Sequence, residues 1–417
     1  MAQSHRKSLS HSGFWFNTQV RFQSIQWATR VQMNLLHAID KLTSQHAFTG
    51  SLYGTWDAVV SGLIASFVVC VVLVLTKSWH GVFSIDAHEG IQKFHFSPTP
   101  RIGGVAILAG LCVAWFNAPQ ELKSMIGVFL LAGLPAFIFG IAEDTTKKVS
   151  VLHRLLGTMA SGLLAWWLTG YSITRVDVLG IDALLSMGFV SVLFTCFVVG
   201  GVANSINMID GFNGLASSTS ALAFTSFGLI AYQVGDMQLA AISLLLSSCV
   251  LGFFGVNWPF GKIFLGDGGA YFVGFSLAWI AVMLIERNAQ VSAFAAVLVC
   301  VHPVTEVLLS IYRRKIKKQH PGQPDRMHFH SLVYRRYARR WLSDVSPSAR
   351  NSITGLMVGL MSLSAGILAN IFYQSMWCSL LALLTLMFAY ASLYKRMVRH
   401  KWCASMRFSM FAKILAG

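Results

Sequence analysis

Long apolar runs recur along most of the chain, and they leave few folds open. They lie at about 58–76, 102–117, 125–142, 155–170, 187–203, 215–234, 238–256, 270–286, 291–312, 353–373 and 376–394. Each approaches the roughly 20 residues a helix needs to cross a bilayer core. Lipid offers no partner to backbone N–H and C=O groups, so a spanning run is expected to be helical. The expected fold is an all-α polytopic membrane protein of about eleven transmembrane helices, with its catalytic loops on the cytoplasmic side. A chain that is 55% hydrophobic and 12% charged fits that class better than a soluble one. Closely spaced Gly103, Gly104 and Gly110 suit tight helix contact.

Alternation of the spans sorts the connections onto two faces. One face receives 77–101, 143–154, 204–214, 257–269, 313–352 and the tail after 394, which together hold 24 of the 32 lysines and arginines. The opposite connections, near 118–124, 171–186, 235–237, 287–290 and 374–375, hold only Lys123, Arg175 and Arg287. Such an excess assigns the basic face to the cytoplasm. The chain then divides into a basic, aromatic N-terminal extension (1–57), a transmembrane domain (58–394) and a basic cytoplasmic tail (395–417). Residues 20–42 can form an amphipathic helix; alternatively Met33 is the true start, since four of the five N-terminal basic residues precede it. The net charge of +16 flanks membrane spans, which argues against a nucleic-acid partner. The seven cysteines are scattered, none at CxxC spacing, and read as buried apolar groups.

Only 16 acidic residues are present, so their positions are informative. Glu143 and Asp144 open one cytoplasmic loop, Asp210 lies in "NSINMIDGFNGLA" and Asp267 in "FLGDGGAYF". One carboxylate at a helix end is ordinarily a cap. Three such loops on one basic face favour a site, and clustered carboxylates need a cation between them. Oxygen ligands select Mg²⁺, with Mn²⁺ as the alternative. The same face supplies Lys93, His95 and Arg101, then Arg154, then Arg326, His328 and His330, which are natural phosphate donors. His328-x-His330 lacks the further ligands that zinc requires. Carboxylates, a divalent cation and phosphate donors together point to phosphoryl transfer, and no P-loop is present. His302 and Glu306, four apart within one span, share a helix face, and Glu306 also aligns with Arg313.

The motifs "QKFHFSPTPRIGG", "AEDTTKKVS", "NSINMIDGFNGLA", "FLGDGGAYFVG" and "RMHFHSL", in that order, resemble the polyprenyl-phosphate N-acetylhexosamine-1-phosphate transferase family over roughly residues 58–394. The resemblance implies Mg²⁺-dependent transfer of a sugar 1-phosphate from a UDP-sugar to a membrane lipid phosphate, with release of UMP. It implies that Asp267 binds Mg²⁺ and that Asn207 and Asn204 lie near the metal and nucleotide. Asp210 becomes a nucleotide or metal-shell contact, and Glu143 and Asp144 take the family's paired-aspartate position, where one carboxylate deprotonates or orients the lipid phosphate. Lys93, His95, Arg154, Arg326, His328 and His330 become substrate-binding. Three positions depart from the family pattern: Glu143 for the first aspartate, Asn213 for a frequent aspartate, and Ala270 for a frequent serine.

Relatives that accept UDP-MurNAc-pentapeptide commonly carry three consecutive histidines, whereas here the run is His328-Phe329-His330. The expected donor is therefore a UDP-N-acetylhexosamine, UDP-GlcNAc first, and the acceptor undecaprenyl phosphate in a bacterial inner membrane. The product would begin a cell-envelope polysaccharide such as O-antigen, and the chain can act alone or as a homodimer. The alternatives are a phospho-MurNAc-pentapeptide transferase and, in another class, a transporter of lipid-linked sugars. Transporters set their ionisable groups near the midplane, whereas here nearly all lie in loops on one face.

Overall fold

The computed structural model describes residues 55–86, 99–316, 318 and 327–399. The amphipathic segment expected at 20–42, the tail beyond 399, and Lys93, His95 and Arg326 lie outside the described residues. Helix α1 (Thr55–Leu75) is followed by α2 (Lys77–Ser84) and a short antiparallel pairing of β1 (Ile85–Asp86) with β2 (Thr99–Pro100). Then come α3 (Gly103–Asn117), α4 (Gln120–Thr146), α5 (Val151–Thr169), α6 (Ile181–Leu185), α7 (Gly188–Ile209), α8 (Leu215–Gln233), α9 (Met237–Asn257) and α10 (Gly266–Arg287). The remainder comprises α11 (Ala293–Val299), α12 (Val301–Ile316), α13 (Phe329–Val333), the π-helical turn Tyr334–Ala338, α14 (Arg339–Trp341), α15 (Pro347–Gly359), α16 (Met361–Phe372) and α17 (Met376–Val398).

Among the described residues, eight helices are long and apolar enough to cross a membrane, and nine if one bent pair counts as a span. The protein is thus an all-α polytopic membrane protein. The apolar runs at 102–117 and 155–170 are helices α3 and α5, the first only 15 residues long and the second diluted by His153, Arg154, Thr158 and Ser161. The run at 291–312, expected as one span, is instead α11 and α12 meeting at 81°. Pro303 supplies the reason. It stands in the first turn of α12 and has no N–H to give the carbonyl of Val299, so the α11 helix cannot continue through it.

Helix α10 is the hub: 94% of its most apolar window is buried, against 22% for peripheral α17. Its first turn is small enough for backbones to touch. A Cβ added at Gly104 of α3 would lie 2.3 Å from the Gly269 Cα, and one added at Gly140 of α4 would lie 2.5 Å from the Gly268 Cα. The outer face is apolar as well, with Phe116, Trp167, Phe197, Trp377 and Phe388 exposed. Burial of grease against water therefore does not drive these contacts in lipid; close van der Waals packing does. Gly104→Val should accordingly cost about 1–3 kcal/mol or more. The check is thermal unfolding of detergent-purified protein; an unchanged midpoint would show that α3 does not abut α10.

The connections sort to two ends as alternation requires. At one end Thr174 donates to Glu286 (2.8 Å), Arg175 caps the carbonyls of Ile285, Asn288 and Val291, Gln238 reaches the carbonyl of Glu121 (2.8 Å), and Ser292 N–H donates to Tyr373 O (2.8 Å). Arg287 pairs there with Asp236 at 2.9 Å. These groups close that end of the bundle upon itself. The other end gathers the loops around Arg101, Asp144, Asp210 and Asp267.

Candidate active site

The site begins with a backbone seam. Phe264 N–H donates to Pro100 O (2.8 Å), Gly103 N–H to Phe264 O (2.9 Å) and Gly104 N–H to Leu265 O (3.0 Å), so "TPRIGG" lies along "FLGDGG". The seam turns at Gly266, which has φ +75°. A Cβ there would fall 2.0 Å from the Arg101 carbonyl and 2.6 Å from Asp144 Oδ2, so only glycine fits. The turn delivers Asp267 into the first turn of α10, where the helix dipole favours a carboxylate.

Asp267 is buried and fully engaged. Its Oδ1 accepts from Asn207 Nδ2 (2.9 Å) and Arg101 Nη2 (3.2 Å), and its Oδ2 accepts from Arg154 Nη1. Asp144 ends α4 beside it: Oδ2 accepts from Gly268 N–H (3.0 Å), and Arg101 Nε lies 3.6 Å from Oδ1. Asp210 caps the C-terminus of α7, where its N–H donates to Asn207 O (3.2 Å). Burial pushes the Asp210 carboxyl up from its ordinary 3.8 to about 7, and the charges of Asp267 and Asp144 add to this. Arg101 and the Gly266 N–H pull it back. Three elements thus bring three carboxylates around one guanidinium, with Arg154 and Asn207 at the edge.

The other expected residues have distinct positions. The Glu143 carboxylate accepts from Val149 N–H (2.9 Å) and so ties down the loop after α4. Asn204 lies one turn before Asn207 on α7, and its side chain makes no hydrogen bond among the described residues. His328 and His330 stack with ring centroids 5.4 Å apart, and His330 packs edge-on against Phe212 (5.3 Å). A Cβ at Gly211 would lie 3.1 Å from His330 Nε2, so this histidine sits on the loop directly after Asp210. Burial, with His328 beside it, pushes the His330 imidazole down to about 3, so it is neutral near pH 7. Glu306 does pair with Arg313, at 3.6 Å, but its closest partners are His328 Nδ1 (2.9 Å) and the Tyr390 hydroxyl. His302 lies on the same face as expected: its ring packs against Tyr390 (5.7 Å), and its Nδ1 is 3.5 Å from Ser362 Oγ.

Two groups in the site were not assigned from sequence. Arg101 was read as one of several loop cations, yet it bridges two of the carboxylates; its position just before the Gly103–Gly104 pair that packs on α10 was the available signal. Asn213 occupies the frequent aspartate position and is structural. Its N–H donates to Asn351 Oδ1 (2.9 Å) and its Nδ2 to Ser352 Oγ (3.0 Å), and Ser352 Oγ donates in turn to Pro259 O. An aspartate has no N–H to offer that hydroxyl. Asn213→Asp should therefore destabilise by about 1–3 kcal/mol. Thermal unfolding tests this, and a stabilised variant would refute it.

The donor set bears on the expected cation. Among the described residues no three carboxylate, imidazole or thiol groups form a ready metal cage. Mg²⁺, however, is usually held by one or two carboxylates, with waters and substrate phosphates completing the shell. Asp144 Oδ1 and Arg154 Nε are buried without hydrogen-bond partners, an acceptor and a donor left over at the same site. Those groups fit a divalent cation accompanied by phosphate.

A helical membrane bundle with a carboxylate–arginine centre at one end is the class that fold and site define. Residues 126–285 match the model of glycosyl transferase family 4. The chain is 26% identical over 249 residues to the undecaprenyl-phosphate alpha-N-acetylglucosaminyl 1-phosphate transferase of Yersinia pestis, covering 58% of this chain and 68% of that one. It is 29% identical over 273 residues to the decaprenyl-phosphate N-acetylglucosaminephosphotransferase of Mycobacterium leprae, with coverages of 58% and 68%. The phospho-N-acetylmuramoyl-pentapeptide-transferase of Clostridium perfringens is 26% identical over 239 residues, with coverages of 54% and 75%. The matched segment contains Asp144, Arg154, Asn207, Asp210 and Asp267 but not Arg101, His328 or His330.

Proposed function

We propose that this protein transfers N-acetylhexosamine 1-phosphate, GlcNAc 1-phosphate first, from a UDP-sugar to undecaprenyl phosphate. UMP is released at the cytoplasmic face of a bacterial inner membrane, as the first membrane step of a cell-envelope polysaccharide such as O-antigen. One observation carries the reading: Asp144, Asp210 and Asp267, from the ends of three separate helices, gather around Arg101 at one end of a membrane bundle. A lipid phosphate and a cytosolic nucleotide sugar can meet only at such a rim.

The reaction follows from charge. A phosphate oxygen of the lipid attacks the sugar-bearing phosphorus of the UDP-sugar, the new P–O bond forms, and the bond to the bridging oxygen breaks as UMP leaves. Asp267 and Asn207, with Asp144 Oδ1, which accepts no hydrogen bond, would hold Mg²⁺ or Mn²⁺. That ion, when bound, neutralises the diphosphate charge. Arg101 and Arg154 bind the phosphate oxygens, with fixed forks that need little reorganisation. His330, neutral and enclosed, serves as a hydrogen-bond partner rather than a charge. The names of relatives in Yersinia pestis and Mycobacterium leprae support a GlcNAc donor, as does the interrupted His328-Phe329-His330 run.

The break between α11 and α12, with buried Glu306, is a transporter-like feature. Glu306 is nonetheless bound to His328 of the site-end loop, so it belongs with the enzyme reading. The deciding experiment mixes purified full-length protein, Mg²⁺ and undecaprenyl phosphate with a panel of UDP-sugars and assays UMP. Release with UDP-GlcNAc alone supports the reading, release only with UDP-MurNAc-pentapeptide reassigns the donor, and no release with any donor rejects transfer.

A further inference from the structure

The bent pair ends in a carboxylate that the reaction above does not use. Glu306 of α12 is fully buried, and both oxygens of its carboxylate have polar partners. Oε1 accepts from His328 Nδ1 (2.9 Å) and lies 3.6 Å from Arg313 Nη2. Oε2 accepts from Phe329 N–H (3.3 Å) and from the Tyr390 hydroxyl of α17. A buried carboxylate with so many donors is costly to assemble and rigid once assembled. Its chemical output is the state of one imidazole. An acceptor on Nδ1 keeps the proton there and leaves Nε2 as the ring's working nitrogen. His328 then stacks nearly parallel on His330, at 8° between ring planes, and His330 lies against Gly211 and Phe212 beside Asp210.

We propose that Glu306 is a positioning residue for the transfer reaction, acting through His328: it fixes that imidazole's tautomer and orientation, and so the His328–His330 stack against the loop that carries Asp210. As a role in transfer this rests on the transferase reading. The tautomer itself does not. Glutamine has nearly the same shape, but its amide can donate as well as accept, so Glu306→Gln satisfies either tautomer of His328 and fixes neither. Glu306→Asp keeps an acceptor-only group and should recover part of the loss.

Two readouts test this in the full-length protein. In UMP-release kinetics with UDP-GlcNAc and undecaprenyl phosphate, Glu306→Gln should lower kcat about 10–100-fold, the range for removing the carboxylate partner of a working histidine. KM should move by less than about threefold, since orientation rather than ground-state binding is lost. In a His328→Ala background the same change should cost less than about twofold. Fold-losses that simply multiply in the double variant would make Glu306 a structural residue and overturn the proposal. The second readout needs no turnover: ¹⁵N shifts of histidine-labelled protein, with His328→Ala giving the assignment. A protonated Nδ1 that is lost or mixed in Glu306→Gln supports the proposal. A non-protonated Nδ1, or one unchanged in the variant, overturns it. Absence of UMP release from the wild type with every donor rejects the transferase reading alone. If Glu306→Gln does not fold, Tyr390→Phe removes one donor and keeps the carboxylate; a kcat loss that disappears in the His328→Ala background supports the proposal, and one that persists there overturns it.

Discussion

Asp267→Asn is expected to abolish sugar-phosphate transfer while leaving the bundle folded. The substitution is nearly isosteric and keeps an oxygen that can accept from Asn207. It removes the negative charge that meets Arg101, Arg154 and the proposed cation. Loss of one preorganised group at a developing charge costs roughly 10²–10³-fold in rate, and removal of a metal ligand adds to that. Stability should change little, because two opposing effects meet: two arginine pairs weaken, but one of three mutually repelling carboxylates is gone. The measurement is UMP release alongside a thermal melt of the same preparation. Wild-type turnover in the variant would take Asp267 out of the site, and a large drop in melting temperature would make it a structural anchor instead.

Much of the architecture could be read from the sequence because membranes impose length. A run of some 20 apolar residues has few folded forms, and every such run is helical here, alone or in the bent pair. Parity then sorted the loops. Glu121, Thr174, Asp236, Arg287 and Tyr373, assigned to one face by counting spans or lying at its edge, all meet at one end of the bundle. The gathering of Asp144, Asp210 and Asp267 at the other end was legible for the same reason. What escaped was geometry that counting cannot supply. Pro303 marks a possible break, but nothing in the sequence gives its 81° angle or the contact of Glu306 with a histidine 22 residues further on. Helical spacing rightly put His302 on the same face, where its ring lies against the Tyr390 that donates to Glu306, but spacing sees one helix at a time and could not supply His328. Asn213 was noted only as standing where relatives often have aspartate, and its contacts with Asn351 and Ser352 show that it fastens the loop.

Arg101, read from sequence only as one of several phosphate donors, also balances the acidic centre, and its removal should have the larger effect on folding. Its guanidinium lies 3.2 Å from Asp267 and 3.6 Å from Asp144, and its charge lowers the proton affinity of Asp210. Arg101→Met keeps most of the apolar stem and leaves the three clustered carboxylates with Arg154 as the arginine still paired to them among the described residues. Breaking such an arrangement from one side costs about 3–5 kcal/mol, mostly as uncompensated charge rather than as lost attraction. The pH dependence identifies the cause. The folded-state value of Asp210 already stands above its unfolded 3.8, at about 7, so the folded protein binds more protons across that window. Stability from this group therefore falls as pH rises from about 4 to 7. Without Arg101 the folded value climbs further, and the decline should continue to higher pH. The variant's melting temperature should thus drop more steeply than the wild type's between about pH 6 and 8. Adding Asp144→Asn, which removes one of the repelling charges, should restore part of the loss. A double variant no more stable than Arg101→Met, or a variant whose pH slope matches the wild type, would mean that Arg101 packs in the seam between α3 and α10 without balancing the acidic centre.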